Sequence, residues 1–300
     1  MAIDGRGHGG SIRCRAPAKV NLYLHVLNRR PDGYHDIDSL IVFADVFDEI
    51  EVSRANRLGL KLVGPFARQL EAVDRGANIV ILAARALAES SGENEGVSLT
   101  LRKNLPVAAG LGGGSSDGAA TLRALCKLWD LDVSESELQT IARRLGADVP
   151  ACLVRSPVYV GGVGEIVSPA PALPDAWLLL VNPGVPLATA EVFRRHDPAW
   201  SVEARFQESP ADAAAMTEVL SRRSNDLEDT AVRLAPQIAE VIGTLHALDG
   251  CLLSRMSGSG ATCFGLFADG GAAKSAETEV AEAHPAWWVK AGRMLGPGTA

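Results

Sequence analysis

The sequence predicts a protein that combines α-helices with β-strands, and three patterns carry this prediction. Polar and apolar residues alternate over residues 19–26, as they do in a strand with one buried face. A glycine-rich loop at residues 105–121 leads directly into a helical pattern. Between these two segments, apolar residues repeat at the spacing of one helix face, namely Ile79, Leu82, Ala83, Ala86 and Leu87. The predicted fold class is therefore mixed α and β.

The first third of the chain is predicted mainly as strands. A turn signal at residues 31–33 separates the first strand from β-rich segments at residues 40–43 and 48–52. The helix of the repeating apolar residues ends near Gly92, because glycine favours the conformation that closes a helix. Residues 97–101 then alternate again, which predicts a short strand.

Two helices follow the glycine-rich loop. The first carries an apolar stripe of four residues, Leu122, Leu125, Cys126 and Trp129. The second begins at a capping-box pattern formed by Ser134 and Glu137, and it ends at Gly146.

The second half of the chain is also predicted to contain both strands and helices. A buried strand is predicted at residues 177–181, followed by helical segments between about 189 and 248. A strand at residues 251–256 leads into a glycine-serine turn and a further strand. Residues 201–215 are predicted as a loose loop, because they are rich in alanine, proline and glutamate.

Composition and charge exclude several classes of protein. The 300 residues are 47% hydrophobic, which is enough for one large or two medium domains. The net charge is 29 − 36 = −7 and no long basic run occurs, so nucleic acid is not an expected partner. Five scattered cysteines without a C-x-x-C pair argue against a disulfide framework and a zinc site. With neither a signal peptide nor an apolar run near ~20 residues, a soluble, cytoplasmic protein without membrane contact is expected.

The glycine loop at residues 110–116 is suited to a polyphosphate. Glycines let backbone N–H groups converge, and the start of the following helix adds unsatisfied N–H donors and a positive dipole end. A close-packed turn without a ligand explains a bare glycine run equally well. The loop is not one of the two common nucleotide motifs. No lysine follows a glycine, which excludes the P-loop, and Ser115 stands where the Rossmann fingerprint needs its third glycine.

Several segments, in a fixed order, resemble one family. They are APAKVNLYLHVLNRRPDGYHDIDSL at 16–40, LPVAAGLGGGSSDGAATLRAL at 105–125, GADVP at 146–150, SNDLE at 224–228 and MSGSGATCFGLF at 256–267. In this order and spelling they are similar to the GHMP kinases, from residue 12 to about residue 270. The departures are small. Ala108 and Ala109 stand where relatives often have glycine, and Gly118 replaces a more usual alanine.

The resemblance implies an α+β fold in two domains. The N-terminal domain is expected to resemble the second domain of ribosomal protein S5, and the C-terminal domain to be ferredoxin-like, with the active site in the cleft between them. The predicted limits are residues 12–165 for the N-terminal, ATP-binding domain and 166–300 for the C-terminal domain. Residues 1–11 are predicted as a disordered tail without an assigned role.

The resemblance also implies a kinase that transfers the γ-phosphoryl group of ATP to an alcohol, with Mg²⁺ as the metal. Within the family, the likeness implies that the substrate is a cytidine diphosphate-linked methylerythritol. The kinase would phosphorylate its 2-hydroxyl in the non-mevalonate route to isoprenoid precursors. One alternative is another kinase of the family that acts on homoserine, mevalonate or a sugar. A second is a non-catalytic nucleotide-binding regulator, which should have lost Lys19 or Asp148. The metal ligands and the oligomeric state stay unassigned.

By the resemblance, Asp148 is the catalytic base and Lys19 is its partner. On the residues alone, Asp148 is a turn aspartate and Lys19 is a polar residue of a strand. The family implies that Lys19 keeps the carboxylate ionised and offsets charge that develops on the transferred phosphoryl group. The residues implied to bind ATP are Pro106, Ala108, Gly110, Leu111, Gly112, Gly113, Gly114, Ser115 and Ser116.

The substrate is expected to lie against a second set of residues. By the resemblance, Tyr34 stacks on the cytosine ring with Phe193 on its other face, and His35 hydrogen-bonds the edge of the base. On the residues alone, these are a half-buried loop pair and a core phenylalanine, and Asn78 is a helix cap. The full implied set is Asn21, Tyr34, His35, Thr189, Phe193, Gly258, Ser259 and Gly260.

Overall fold

The computed structural model describes residues 10–71 and 75–296, and it divides the chain into two compact units. The first unit takes the residues up to Ala18, then Phe47–Val107 and Gly112–Val154. The second takes Lys19–Val46, Ala108–Leu111 and the chain from Arg155 onward. Of the predicted tail at 1–11, residues 1–9 lie outside the described residues. The domain limits predicted from the sequence stay a prediction, because these units are defined by packing and not by family boundaries.

The strands of the first unit include the far end of a long hairpin. Strands β1 (Ile12–Arg29) and β2 (His35–Ala55) contribute residues to both units. In the first unit β2 pairs antiparallel with β4 (Gly96–Arg102), and β3 (Gly59–Val63) pairs parallel with β4. The strand predicted at residues 97–101 is confirmed. The segments predicted separately at 40–43 and 48–52 form one strand, because neither glycine nor proline interrupts the residues between them.

The helix boundaries of the first unit follow local signals. Asn78 caps α2 by accepting a hydrogen bond at 3.0 Å from the N–H of Val80, as predicted. The capping box of Ser134 and Glu137 opens α4, and Gly146 is its C-cap. The helices are α1 (Ala67–Glu71), α2 (Ile79–Ser91), α3 (Gly113–Leu128), α4 (Glu135–Leu145) and α5 (Val149–Val154), with a 3-10 turn at Arg75–Ala77.

Two predicted helix faces need correction. In α2 the side chain of Leu82 is 38% exposed, and the buried stripe consists of Val80, Ile81, Ala83, Ala84 and Leu87. The helix is apolar enough to offer two overlapping stripes, and packing against α3 selects the second. In α3 Cys126 is only half-buried, and Trp129 is buried as the C-cap residue beyond the helix. A Cβ at Gly118 would lie 3.0 Å from Ile79, so glycine permits this close contact.

A buried ion cluster lies at the start of α3. The ammonium of Lys103 donates to Asp48 at 2.5 Å and to Asp117 at 2.7 Å, and all three side chains are at most 3% exposed. Asp48 also accepts from the N–H of Leu105 at 2.9 Å. The pKa of Asp117 is raised to about 8, because burial and the charge of Asp48 raise it by more than the charge of Lys103 lowers it. Two carboxylates thus share one ammonium, and Asp117 keeps its proton at neutral pH.

The first prediction concerns this cluster. Between about pH 4 and pH 8 the folded chain holds a proton on Asp117 that the unfolded chain has lost, so the free energy of unfolding falls as pH rises, by up to about 1.4 kcal/mol per pH unit. Asp117→Asn replaces the protonated acid with a neutral amide. We expect a flatter stability profile between pH 5 and pH 8, and a variant more stable than the wild type above pH 8.

Urea unfolding at three pH values measures this profile. Asp132→Asn, at an exposed carboxylate of the same unit, is the control and should run parallel to the wild type. An Asp117→Asn profile that also ran parallel to the wild type would refute the assignment of the proton.

The second unit contains the first half of β2 and a separate antiparallel sheet. Here β2 pairs with β5, which pairs in turn with β6, and Leu40 lies opposite Tyr159. The separate sheet has the strand order β10-β7-β9-β8, and helices α9 and α10 pack against it. The strands are β5 (Val158–Gly161), β6 (Ile166–Pro169), β7 (Trp177–Asn182), β8 (Leu253–Met256), β9 (Cys263–Phe267) and β10 (Trp288–Arg293). The helices are α6 (Thr189–Arg194), α7 (Ala213–Ser221), α8 (Glu228–Leu234), α9 (Gln237–Ala247) and α10 (Gly270–Ala283).

Two expectations for the second unit were wrong. Residues 19–26 are buried on both faces of β1 and not on one, because segments from the C-terminal half of the chain cover the polar face. Residues 201–212 are irregular as predicted, but α7 begins at Ala213 and hydrogen bonds from the backbone at Ser201 and Ala204 hold the loop in place. Within residues 10–71 and 75–296, no helix is both long enough and apolar enough to cross a membrane.

Candidate active site

Ser257 joins two segments that are far apart in the sequence. Its hydroxyl accepts from the N–H of Asn21 at 3.1 Å and donates to the carbonyl of Gly110 at 3.0 Å. Gly110 has a φ of 76°, and a Cβ there would lie 2.4 Å from the carbonyl oxygen of Ser257. Only glycine fits this contact, because an added side chain would strike backbone. The three residues come from the three longest segments that carry the family resemblance.

Two backbone hydrogen bonds complete this junction. The N–H of Lys19 donates to the carbonyl of Leu111 at 2.9 Å, and the N–H of Thr262 donates to the carbonyl of Ala109 at 3.1 Å. Strand β1, the loop at residues 108–111 and the turn at residues 257–262 are therefore bound together within the second unit. We refer to this arrangement as the three-segment junction.

The side chain of Lys19 lies at this junction and is 5% exposed. Its ammonium donates to Oδ1 of Asn21 at 2.9 Å, and Nδ2 of Asn21 donates to the hydroxyl of Ser39 at 2.7 Å. A chain of hydrogen bonds thus fixes the direction of both predicted residues.

The glycine loop enters α3 at Gly112, which has a φ of 57° and no side-chain cap. The N–H of Ser116 donates to the carbonyl of Gly112 at 2.9 Å, which closes the first turn. The N–H groups of residues 113–115 lie before the first hydrogen-bonded turn, so they have no carbonyl acceptor within the helix. The positive end of a 16-residue helix therefore presents backbone donors, an arrangement that suits phosphate oxygens.

The remaining predicted ATP-binding residues differ in their exposure. Pro106 and Leu111 are buried, and Ser115 is half-buried in the first turn of α3. Ser116 is buried and donates its hydroxyl proton to the carbonyl of Pro17 at 2.7 Å, so only oxygen lone pairs are left for a ligand. Ala108 is exposed and has a φ of 52°. This left-handed conformation costs alanine roughly 1–2 kcal/mol, so glycine would suit the position better.

Asp148 lies in the turn between α4 and α5 and is half-buried. Its carbonyl accepts from the N–H of Cys152 at 3.2 Å, which begins α5. Asp148 belongs to the first unit and Lys19 to the second, and their pairing stays a prediction.

The glycine-serine turn at residues 257–260 is supported from two sides. Thr189, the first residue of α6, shares a hydrogen bond of 2.8 Å with Ser259, so two predicted substrate-binding residues meet. Nδ2 of Asn225 donates to the carbonyls of Met256 and Gly258, each at 2.8 Å. The supporting role of Asn225 was not predicted, although the SNDLE segment that contains it was noticed.

Two of the predicted base-binding residues, His35 and Phe193, belong to one aromatic group in the second unit. The ring of His35 lies 5.4 Å from that of Phe193, and Tyr34, the residue before His35, is 65% exposed. Burial, the charge of Arg29 and His196 lower the pKa of His35. At neutral pH its imidazole is therefore uncharged, with one donor and one acceptor nitrogen.

A further prediction tests the phosphate site. A Cβ at Gly114 would have nothing within 4 Å, whereas one at Gly113 would lie 3.0 Å from the ammonium of Lys103. Gly114→Asp therefore places a negative charge at the helix start without disturbing the ion cluster. We expect ATP affinity to fall at least about tenfold, because the carboxylate repels the triphosphate while it favours the helix dipole.

The matched control is Gly114→Asn, which has the same shape and no charge and should bind ATP within about threefold of the wild type. Isothermal titration calorimetry measures both affinities. Equal ATP affinity in the Asp and Asn variants would show that the helix start is not the phosphate cradle.

Comparisons with known proteins agree with these observations. The family model for the GHMP kinases N terminal domain matches residues 78–156, and the model for GHMP kinases C terminal matches residues 207–286. A relative from Rhodospirillum rubrum is 52% identical over 94% of this chain and 92% of its own length. One from Paramagnetospirillum magneticum is 47% identical over 95% and 99%. Both are named 4-diphosphocytidyl-2-C-methyl-D-erythritol kinase.

Solved structures give a consistent result. A 4-(cytidine 5'-diphospho)-2C-methyl-D-erythritol kinase is 37% identical, with a TM-score of 0.75 over 95% of this chain and 99% of its own. A homoserine kinase from Cytophaga hutchinsonii has a TM-score of 0.70 over 98% of both chains, but at 18% identity it shows the fold alone. The α+β fold of the GHMP kinases that the resemblance implied is confirmed, and the structure builds it around two sheets.

Proposed function

The chain belongs to the GHMP kinase family, and we propose that it transfers the γ-phosphoryl group of ATP to the 2-hydroxyl of 4-diphosphocytidyl-2-C-methyl-D-erythritol. The observation that carries this proposal is the three-segment junction. The segments with Lys19, Gly110 and Ser257 hydrogen-bond directly to one another, which supports their acting as one site. The relatives above are named for this substrate at 52% and 47% identity. The reaction belongs to the non-mevalonate route to isoprenoid precursors.

In the proposed reaction Asp148 accepts the proton of the substrate hydroxyl as that oxygen attacks the γ-phosphorus. The bond between the γ-phosphorus and the bridging oxygen of ATP breaks, and ADP leaves with that oxygen. Lys19 contributes a fixed positive charge, because its hydrogen bond to Asn21 holds the ammonium in place. Positioning and charge account for most of the catalysis, since phosphoryl transfer needs little else from a protein.

The nucleotide phosphates are assigned to the start of α3, where residues 113–115 present their N–H groups. Mg²⁺, when bound to those phosphates, neutralises part of their charge. The hydroxyl oxygens of Ser115 and Ser116 fit such an ion, because Ser116 has turned its proton away toward Pro17. Within the described residues no group of three or more histidine, cysteine, aspartate or glutamate side chains is placed to hold a metal. The proposed metal contacts are the serine hydroxyls, which lie at the start of α3, and the phosphates of the nucleotide.

The cytidine is assigned to the aromatic group around His35. An uncharged imidazole can donate to or accept from the edge of cytosine, and the ring of Phe193 and the exposed ring of Tyr34 offer stacking surfaces. Stacking supplies affinity for any base, whereas hydrogen bonds distinguish one base from another. His35 is therefore the proposed source of the preference for cytidine.

The proposed base is tested by Asp148→Asn, which keeps the size of the side chain and removes its capacity to take a proton. We expect kcat to fall by ~10²–10⁴-fold, because this is the usual contribution of a positioned base. ATP affinity should stay unchanged in calorimetry, which serves as the control for folding. A variant with kcat within threefold of the wild type would reject Asp148 as the base.

The substrate is tested by a coupled assay for ADP release across three alcohols. 4-Diphosphocytidyl-2-C-methyl-D-erythritol should be phosphorylated, while homoserine and mevalonate should be poor even at high concentration, since they leave the polar groups of the base site without partners. The kcat/KM values should differ by at least about 10³-fold. Comparable values for homoserine and the cytidylyl substrate would favour a different kinase of the same family. No turnover of any alcohol, with ATP still bound, would favour the nucleotide-binding regulator.

A further inference from the structure

Residues 199–206 form an irregular segment that is nevertheless firmly attached, and we call it the strap. The N–H of Ser201 donates to the carbonyl of Val26 at 2.9 Å, and the carbonyl of Val202 lies 3.0 Å from Nδ1 of His25. At its far end the carbonyl of Phe206 accepts from the hydroxyl of Tyr159 at 2.7 Å. All of these residues belong to the second unit. A segment held at both ends presents its side chains in fixed positions.

A fully buried carboxylate secures the middle of the strap. Asp38 accepts from the guanidinium of Arg205 at 2.7 Å, from the N–H of Ala204 at 2.9 Å and from the hydroxyl of Tyr23 at 2.9 Å. The carboxylate is 0% exposed, so these charge-assisted bonds are strong and losing one partner would be costly. The fold thus uses a buried charge to hold a segment that has no regular secondary structure.

The strap carries Trp200 to the aromatic group around His35. The indole lies 6.2 Å from the ring of His35 and 6.0 Å from the ring of His196. His196 in turn lies 6.5 Å from His35. Despite these neighbours the indole is 43% exposed, so burial of apolar surface does not account for its position. A large ring that lies on an anchored segment and is left partly open is suited to binding a flat ligand, because the segment loses little conformational freedom on binding.

The space beside the indole is large enough for a ligand. A cavity of about 480 Å³ is lined by Trp200, His196, Ser224 and Asn225 among others. Small-molecule sites usually have a volume of about 300–1,000 Å³ and combine apolar walls with a few polar groups. His35 and Phe193 are not among the lining residues, so the cavity adjoins the aromatic group through Trp200 and His196, and the rest of its lining is mostly polar, with three carboxylates at Asp226, Glu228 and Asp229.

We propose that Trp200 is a substrate-binding residue whose indole contacts the cytidine part of the substrate from the side, next to the base whose two faces are assigned to Tyr34 and Phe193. This inference rests on the proposed function and extends it, because it names a ring outside the segments that carry the family resemblance. Trp200 adds contact area to a site in which His35 supplies the hydrogen bond. Its effect is on binding, since the base is remote from the hydroxyl that reacts.

The test compares three variants in the kinase assay. Trp200→Ala should raise KM for the cytidylyl substrate about fivefold to tenfold, with kcat and the KM for ATP within twofold of the wild type. Trp200→Phe keeps a flat ring and should restore KM to within about threefold. Trp287→Ala is the matched control, because that indole stacks on His284 at 3.7 Å in the same unit and has no proposed role in binding. It should leave both KM values unchanged.

Tryptophan fluorescence supplies a readout that does not depend on turnover. Cytidine 5′-diphosphate should change the emission of the wild type and of Trp287→Phe, and this change should be lost in Trp200→Phe. An unchanged KM in Trp200→Ala, or a ligand response retained in Trp200→Phe, would overturn the inference. A loss of kcat together with a lowered Tm would also overturn it, because that pattern belongs to a structural role. A wild type that binds cytidine 5′-diphosphate but does not phosphorylate the cytidylyl alcohol would refute the proposed function and leave the assignment of Trp200 standing.

Discussion

The site depends on one hydroxyl, that of Ser257. This group receives a hydrogen bond from the backbone of β1 and gives one to the glycine loop, so a strand near the N-terminus, a central loop and a C-terminal turn share one point of attachment. Each bond alone contributes roughly 1 kcal/mol, but losing the hydroxyl leaves the buried N–H of Asn21 without this acceptor, which costs more than the bond itself. The contact also explains why residue 110 is glycine, since the turn approaches its Cα too closely for a side chain. Residues joined in this way keep a geometry that a mobile loop could not provide.

Local features were predictable from the sequence because their causes lie within a few residues. Asn78 and the pair Ser134 and Glu137 cap helices through side-chain bonds to the nearest N–H groups. The glycine loop was predicted as the start of a helix, and α3 begins at Gly113. The long strand β2 was divided in two by pattern alone, although the intervening residues contain nothing that stops a strand.

Distant features were not predictable, because their causes lie far along the chain. The polar face of β1 is buried by partners such as Ser257, which is 236 residues away from Asn21. The buried cluster of Asp48, Lys103 and Asp117 joins three segments whose charges look like ordinary surface residues in the sequence. Trp200 directly precedes the stretch at residues 201–215 that was expected to be loose, and the carboxylate that secures this stretch is Asp38, from a strand. Neither partner carries a local signal.

The division of the chain into interleaved segments has a consequence for its synthesis. All segments of the first unit have been synthesised once translation reaches Val154. Residues 19–46 belong to the second unit, and their packing partners in the C-terminal region are synthesised later. Leu24 forms a β-bridge with Asn225, and the carbonyl of Phe43 accepts from the N–H of Leu295 at 2.7 Å. Until those residues emerge, the nascent chain exposes an apolar strand whose edges and faces invite association with other chains. A chain cut short near its end therefore leaves its first strands uncovered, which a topology built from consecutive domains would avoid.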